Sequence, residues 1–169
     1  MIELIKARRS VRKYKPDKVP DDMLQKILEA ASWSPSANNA QPWEFVVLKD
    51  EEVLKRVAGA ATWGKFLASA PLGVVVVIDP KASSHPVEDG AIATYSMMLA
   101  AHSLGLGSCW IGAYDSDYEG EVKKALGIPE ERRVLSILAI GYPAESPKRD
   151  RKSPEEIVFL NGYGKREKS

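Results

Sequence analysis

Three largely apolar runs stand out along the chain: residues 44–48 (EFVVL), 73–78 (GVVVVI) and 134–140 (VLSILAI). Their length and β-branched content predict strands, the second stopped by Asp79 and Pro80 and the third by Gly141, Tyr142 and Pro143. A shorter strand is expected at 108–111, just after Gly105 and Gly107. Elsewhere the apolar positions follow helical spacing. Behind Pro20, Asp21 and Asp22, the residues Met23, Leu24, Ile27, Leu28 and Ala31 make an amphipathic helix running to about Ser32. A short helix is expected from Ile2 to about Arg9, and others at 51–58, 65–70 and 119–126. The longest candidate spans 87–104. It carries Ile92, Tyr95 and Leu99 on one face and Ala93, Met97, Ala100 and Leu104 on another, so it is expected to be buried in a core or between subunits.

Helices and strands mix without a regular βαβ repeat. The expected fold is therefore α+β, a central sheet clothed by helices. With 169 residues and no internal repeat, residues 1–169 are expected to form one domain, with 145–169 a charged, proline-containing tail that packs on a partner.

Composition narrows the function. A net charge of +1 gives no overall field to attract nucleic acid or an anionic membrane, so any anion site has to be local. The start, MIELIKARRS, lacks the layout of a signal peptide, and the apolar run at 74–78 is too short to span a bilayer. A soluble cytoplasmic protein is expected. Cys109, the single cysteine, reads as a small buried hydrophobe. His85 and His102 have no metal-ligand spacing, so no metal is expected. No GxGxxG, GxxxxGK[ST] or GxSxG motif is present, the string GAATWGK at 59–65 being followed by Phe66, so a nicotinamide cofactor would come and go as a substrate.

Two segments could carry chemistry. Arg8, Arg9 and Arg12 surround Ser10, and guanidinium forks with a hydroxyl suit a phosphate monoester; the alternative is a solvated basic face. The loop at 33–42 (WSPSANNAQP) offers hydroxyls, amides and close main chain to a flat heteroaromatic ring; the alternative is an ordinary surface loop with Trp43 as a core plug. Lys148, Arg149, Arg151 and Lys152 form a second basic group in the tail.

Taken together, RRSVRKY, SPSANNAQPWEFVVL, AAHSLGLGSCWIG and a basic tail, in that order, resemble the FMN-dependent nitroreductase family, and the resemblance spans nearly the whole chain. It implies a mostly antiparallel sheet flanked by helices and an intertwined homodimer with FMN sites at the interface. By the same resemblance Arg8, Arg9, Ser10 and Arg12 hold the phosphate and ribityl chain, with Arg149 and Arg151 from the tail, or Lys148 and Lys152 in their place. Pro35, Ser36, Ala37 and Asn39, with Gln41 nearby, would lie along the flavin of the other subunit. Ile111, Gly112 and Ala113 would lie over the ring, one of them pointing a main-chain N–H at flavin N5.

The implied activity is an NAD(P)H-dependent flavin oxidoreductase that passes electrons through FMN to a nitroaromatic, quinone or similar acceptor by a ping-pong mechanism, with no catalytic side chain. Alternatives are a flavin-binding protein without turnover, a specialised flavoenzyme of the same fold, and a basic module holding no flavin. The long insertion of larger family members is missing. Trp63 and Phe66 stand as candidates to cover the substrate side, with core packing as the plainer expectation.

Overall fold

The computed structural model describes residues 1–166. Its elements are α1 (Ile2–Ala7), α2 (Asp21–Ser32), β1 (Trp43–Leu48), α3 (Glu51–Ala60), β2 (Leu72–Ile78), α4 (Pro86–Ser103), β3 (Gly107–Gly112), α5 (Glu119–Leu126), β4 (Arg133–Gly141) and α6 (Pro154–Ile157). The four strands form one antiparallel sheet in the order β1-β2-β4-β3. β2 and β4 lie in the middle, which is why they are mostly apolar. Val75, Val77 and Ile137 enter one core with Leu54, Val57 and Val122, while Val74, Val76 and Leu138 enter the other with Ile27 and Met97. Both faces are covered, so the strands lose the alternation of a half-exposed sheet.

The N-terminal segment runs beside the outer edge of β3. Ser10 bridges Ser108 in parallel, Val11 N–H donates to Ser108 O at 3.0 Å, and Tyr14 bridges Pro143. Gly107 permits this approach, since a Cβ there would sit 2.9 Å from Val11 Cβ. The Tyr14 hydroxyl fastens the segment further, donating to Val11 O (2.5 Å) and Ala139 O (3.1 Å).

Two sequence expectations need correction. The segment expected as a helix at 65–70 is a 3₁₀ turn, Lys65–Ser69. α4 sets Ala93, Met97 and Ala101 in the core of the chain and leaves Ile92 and Tyr95 on its surface. Trp63 is 82% exposed rather than packed in the core, because it rides on the short link before Gly64, whose backbone lies against Ile111. The tail carries one helical turn, α6, that was not expected. Ser153 and Glu156 form a capping box around it, with Pro154 at its first position.

Candidate functional site

Arg8 is the first residue past α1 and is already extended (φ −58°, ψ 135°). Among the described residues its Nε and Nη1 are buried and meet no protein acceptor, and Ser108 Oγ is likewise buried without a partner. Arg8 and Ser108 line one cleft of about 190 Å3, together with Arg9, His102, Glu145 and Pro147. A buried polar group left unpaired costs about 1–3 kcal/mol. Two such groups facing the same cleft therefore describe a site shaped for an anionic, hydrogen-bonding guest.

The other arginines play different parts. Arg9 turns its Nη1 to the main chain, bonding Lys6 O (2.5 Å) and Arg8 O (2.8 Å), and so closes the end of α1. Arg12 is exposed; its N–H donates to Glu145 Oε1 at 2.6 Å and its guanidinium lies 5.8 Å from the centre of the Phe66 ring. Cys109 sits beside this group, its thiol donating to Trp110 O (3.8 Å). Burial pushes its thiol up, against the opposing pull of Arg12, Ser10 and Arg8, so it stays protonated. This agrees with a structural cysteine.

The ring segment follows on the same strand. Ala113 N–H donates to Leu135 O (3.1 Å) on the β4 side. Successive residues of a strand direct their main-chain groups to opposite edges, so those of Gly112 face away from β4. Ser108, four residues earlier and of the same parity, confirms the direction, since its carbonyl accepts from Val11 on that outer edge. The N-terminal segment covers the edge at Ser108. Gly112, at the far end, is exposed, and its carbonyl accepts from the Tyr118 hydroxyl.

The loop is anchored elsewhere. Ala37 N–H donates to Asp89 Oδ1 (3.0 Å), Ser83 Oγ donates to Asp89 Oδ2 (2.5 Å), Ser34 Oγ bonds Ser96 Oγ (2.8 Å), and Gln41 N–H donates to Ser36 Oγ (3.0 Å). Asn38, Asn39 and Gln41 all have left-handed φ, of 52°, 55° and 49°. Three non-glycine residues held this way in so short a stretch mark a loop whose shape is imposed by these ties. The loop leads into β1, at the opposite edge of the sheet from β3. Three strand spacings, about 14 Å, separate it from Gly112. Asp89 lies about 20 Å along α4 from His102 at the cleft. Within one chain, then, the clamp and ring segments share the β3 edge, and the loop does not join them.

Nor does the tail. Arg149 and Arg151 are exposed, and the guanidinium of Arg151 bonds only its neighbour's carbonyl, Asp150 O (3.0 Å), among the described residues. Sequence reasoning missed Ser108, Glu145, Asp89 and Tyr118; the first three reach the site through long-range contacts, and Tyr118 through a turn that returns it to Gly112. His102 was read as structural and lines the cleft. Among the described residues no group of three or more His, Cys, Asp or Glu could hold a metal ion, and no helix is long and apolar enough to cross a membrane.

An antiparallel four-stranded sheet with an N-terminal arginine segment along its β3 edge defines a recognisable class. The chain belongs to the Nitroreductase family, which it matches over residues 5–64 and 60–142. A protein of Archaeoglobus fulgidus with the provisional name NADH dehydrogenase/NAD(P)H nitroreductase is 41% identical over 149 residues, 85% of this chain and 86% of that protein. An iodotyrosine deiodinase of Thermotoga neapolitana is 31% identical over 188 residues, 96% of this chain and 98% of its own. The solved structure of an FMN-dependent nitroreductase from Clostridium difficile superposes with a TM-score of 0.92 at 36% identity, covering 96% of this chain and all of the other.

Proposed function

We propose that this chain is a flavin oxidoreductase that binds FMN and uses NAD(P)H as its reductant. One observation carries the reading: the unpaired donors of Arg8 and Ser108 and the outward N–H of Gly112 lie at two ends of one strand edge, four residues or about 13 Å apart. A mononucleotide has a phosphate at one end and a flat ring at the other, and both find donors there.

Arg8 and Ser108, with Ser10 and Arg12 alongside, hold the phosphate by charge-assisted hydrogen bonds. Gly112 N–H meets N5 of the ring. Arg9 shapes the clamp through the main chain. Bound FMN would supply the two-electron chemistry, taking hydride from NAD(P)H and passing electrons to a nitroaromatic, quinone or related acceptor in a ping-pong cycle. The protein's own task is to fix the two ends of the cofactor and keep water from one face.

The residues 35–41 complete the site from a second copy, and Arg149 and Arg151 close on the phosphate from a tail that crosses between subunits. Residues 1–169 then act as one domain in a homodimer, of which residues 167–169 lie outside the described ones. Supporting this are the span that separates the loop from Gly112 and the apolar side chains left exposed: Ile2 and Ile5 on α1, Ile92 and Tyr95 on α4, Ile157 and Val158 on the tail.

The test compares FMN with riboflavin on the apoprotein by fluorescence quenching. FMN is expected to bind more tightly by at least tenfold, since a charged hydrogen bond contributes about 1.5–3 kcal/mol. Equal affinities would overturn the phosphate clamp.

A further inference from the structure

The turn after β3 is held by more side chains than its position on the surface requires. Tyr118 O–H donates to Gly112 O, Ser116 Oγ donates to Ala113 O (2.7 Å), and the Glu119 carboxylate accepts from Asp115 N–H (3.1 Å) and Val134 N–H (2.9 Å). Arg133 ties both acids, reaching Asp115 Oδ1 at 2.5 Å and Glu119 Oε2 at 2.8 Å. Asp115, with φ 54°, is held left-handed inside this net.

At one end of the turn sits a residue with little of its own to fix it. Gly112 has no side chain, is exposed, and would find only Trp110 Nε1 (3.8 Å) near a Cβ. Its main chain faces the outer edge, where no strand pairs with it. The single side-chain tether on its carbonyl comes from Tyr118, whose phenol is only 6% exposed and packs in the core cluster of Ile111, Ala113 and Val122. Burial raises the phenol's pKa above its ordinary value, so the group stays a donor. A rigid core thus reaches out through one hydroxyl to the peptide adjoining the N5 donor.

We propose that Tyr118 is a positioning residue: its hydroxyl, by anchoring the Gly112 carbonyl, holds the Gly112 N–H in line for flavin N5. The inference rests on the flavin site proposed above. It differs from a purely structural role because the ring of Tyr118 does the packing, while the oxygen acts on Gly112.

Tyr118→Phe separates the two, because it keeps the ring and removes the oxygen. In the apoprotein, exchange of the Ala113 amide, which is bonded to Leu135 O, is expected to quicken by roughly 2- to 12-fold, the equivalent of one lost neutral hydrogen bond. In the FMN-loaded variant the flavin content stays at wild-type level, the midpoint potential of the bound flavin is displaced, and its anaerobic reduction by NADH slows by a similar roughly 2- to 12-fold. Ser116→Ala spares the Gly112 carbonyl and is expected to leave the potential at the wild-type value. A flavin-loaded Tyr118→Phe protein with wild-type exchange and potential would overturn the role of Tyr118 alone. A wild-type protein that takes up no FMN would instead overturn the reading of the site.

Discussion

The main-chain N–H of Arg12 donates to the Glu145 carboxylate at 2.6 Å, joining positions 133 residues apart. This contact fastens the arginine segment to the root of the tail. It also brings an anion into the same cleft as Arg8. Glu145→Ala is therefore expected to lower the stability of the apoprotein by about 1 kcal/mol, at the modest end for a charged contact because the N–H is not buried. Glu145→Gln keeps an acceptor and removes the charge, so it should retain most of the stability and tighten FMN. Urea unfolding and FMN titration of both variants check this; a Gln variant that weakens FMN as much as Ala would contradict it.

Arg8 presents a conflict between stability and binding. Its buried, unpaired Nε and Nη1 are a cost in the empty protein and a source of affinity when a phosphate arrives. Arg8→Met is expected to raise apoprotein stability by about 1–3 kcal/mol while weakening FMN by about 1.5–3 kcal/mol. Adding Arg12→Ala deepens the loss of affinity to several kcal/mol at most. Thermal melts of the apoprotein with and without FMN read both effects. Undiminished flavin affinity in the double variant would remove the phosphate from this cleft.

Glu119 gives an acid-side signature. Burial works against its charge, but hydrogen bonds from Arg133, Val134 N–H and Asp115 N–H outweigh it and hold the carboxyl below its ordinary range. With the folded value below the unfolded one, about 4.3, its contribution is complete above that pH and is lost progressively as the pH falls through the folded value. Glu119→Gln is expected to be less stable near neutrality, where Arg133 loses its partner, and to show a shallower decline of stability below about pH 4. Urea unfolding between pH 3 and 7 measures it. Parallel curves for the two proteins would contradict the assignment.

Gly112 can be tested through the edge it faces. Proline has no N–H and is accepted where a strand's donor points away from the ladder. Gly112→Pro is expected to fold, keep FMN through the phosphate clamp, and slow flavin reduction, while Gly112→Ala folds with little change because its methyl makes only an ordinary contact, with Trp110 Nε1 at 3.8 Å. Stopped-flow reduction by NADH distinguishes them. Wild-type reduction in the Pro variant, or unfolding of Pro beside a stable Ala variant, would contradict an outward N–H.

Much of the framework was legible because it is local. The strands announce themselves by β-branched runs, and α2 by its acidic first turn and 3.6-residue period. The arginine segment and the 33–42 loop were marked by residue type. What escaped depends on contacts that spacing does not announce: Glu145 on Arg12 and Asp89 on Ala37 across long separations, and Tyr118 on Gly112 through the shape of a turn. The sequence also left open which N–H of Ile111, Gly112 and Ala113 is free, because only strand pairing decides it. Trp63 was misjudged since a large aromatic is usually buried, and nothing local says that it sits on an outward link. The Ser153–Glu156 capping box was visible in the sequence as S-P-E-E and passed over inside a charged tail.

The most direct test is the visible absorption spectrum of freshly purified protein, recorded before and after NADH or NADPH is added without oxygen. A yellow protein that bleaches on addition of the nucleotide is the expected result. A colourless protein that also fails to take up added FMN would contradict the flavin site, and a yellow one that neither nucleotide bleaches would contradict the reductase.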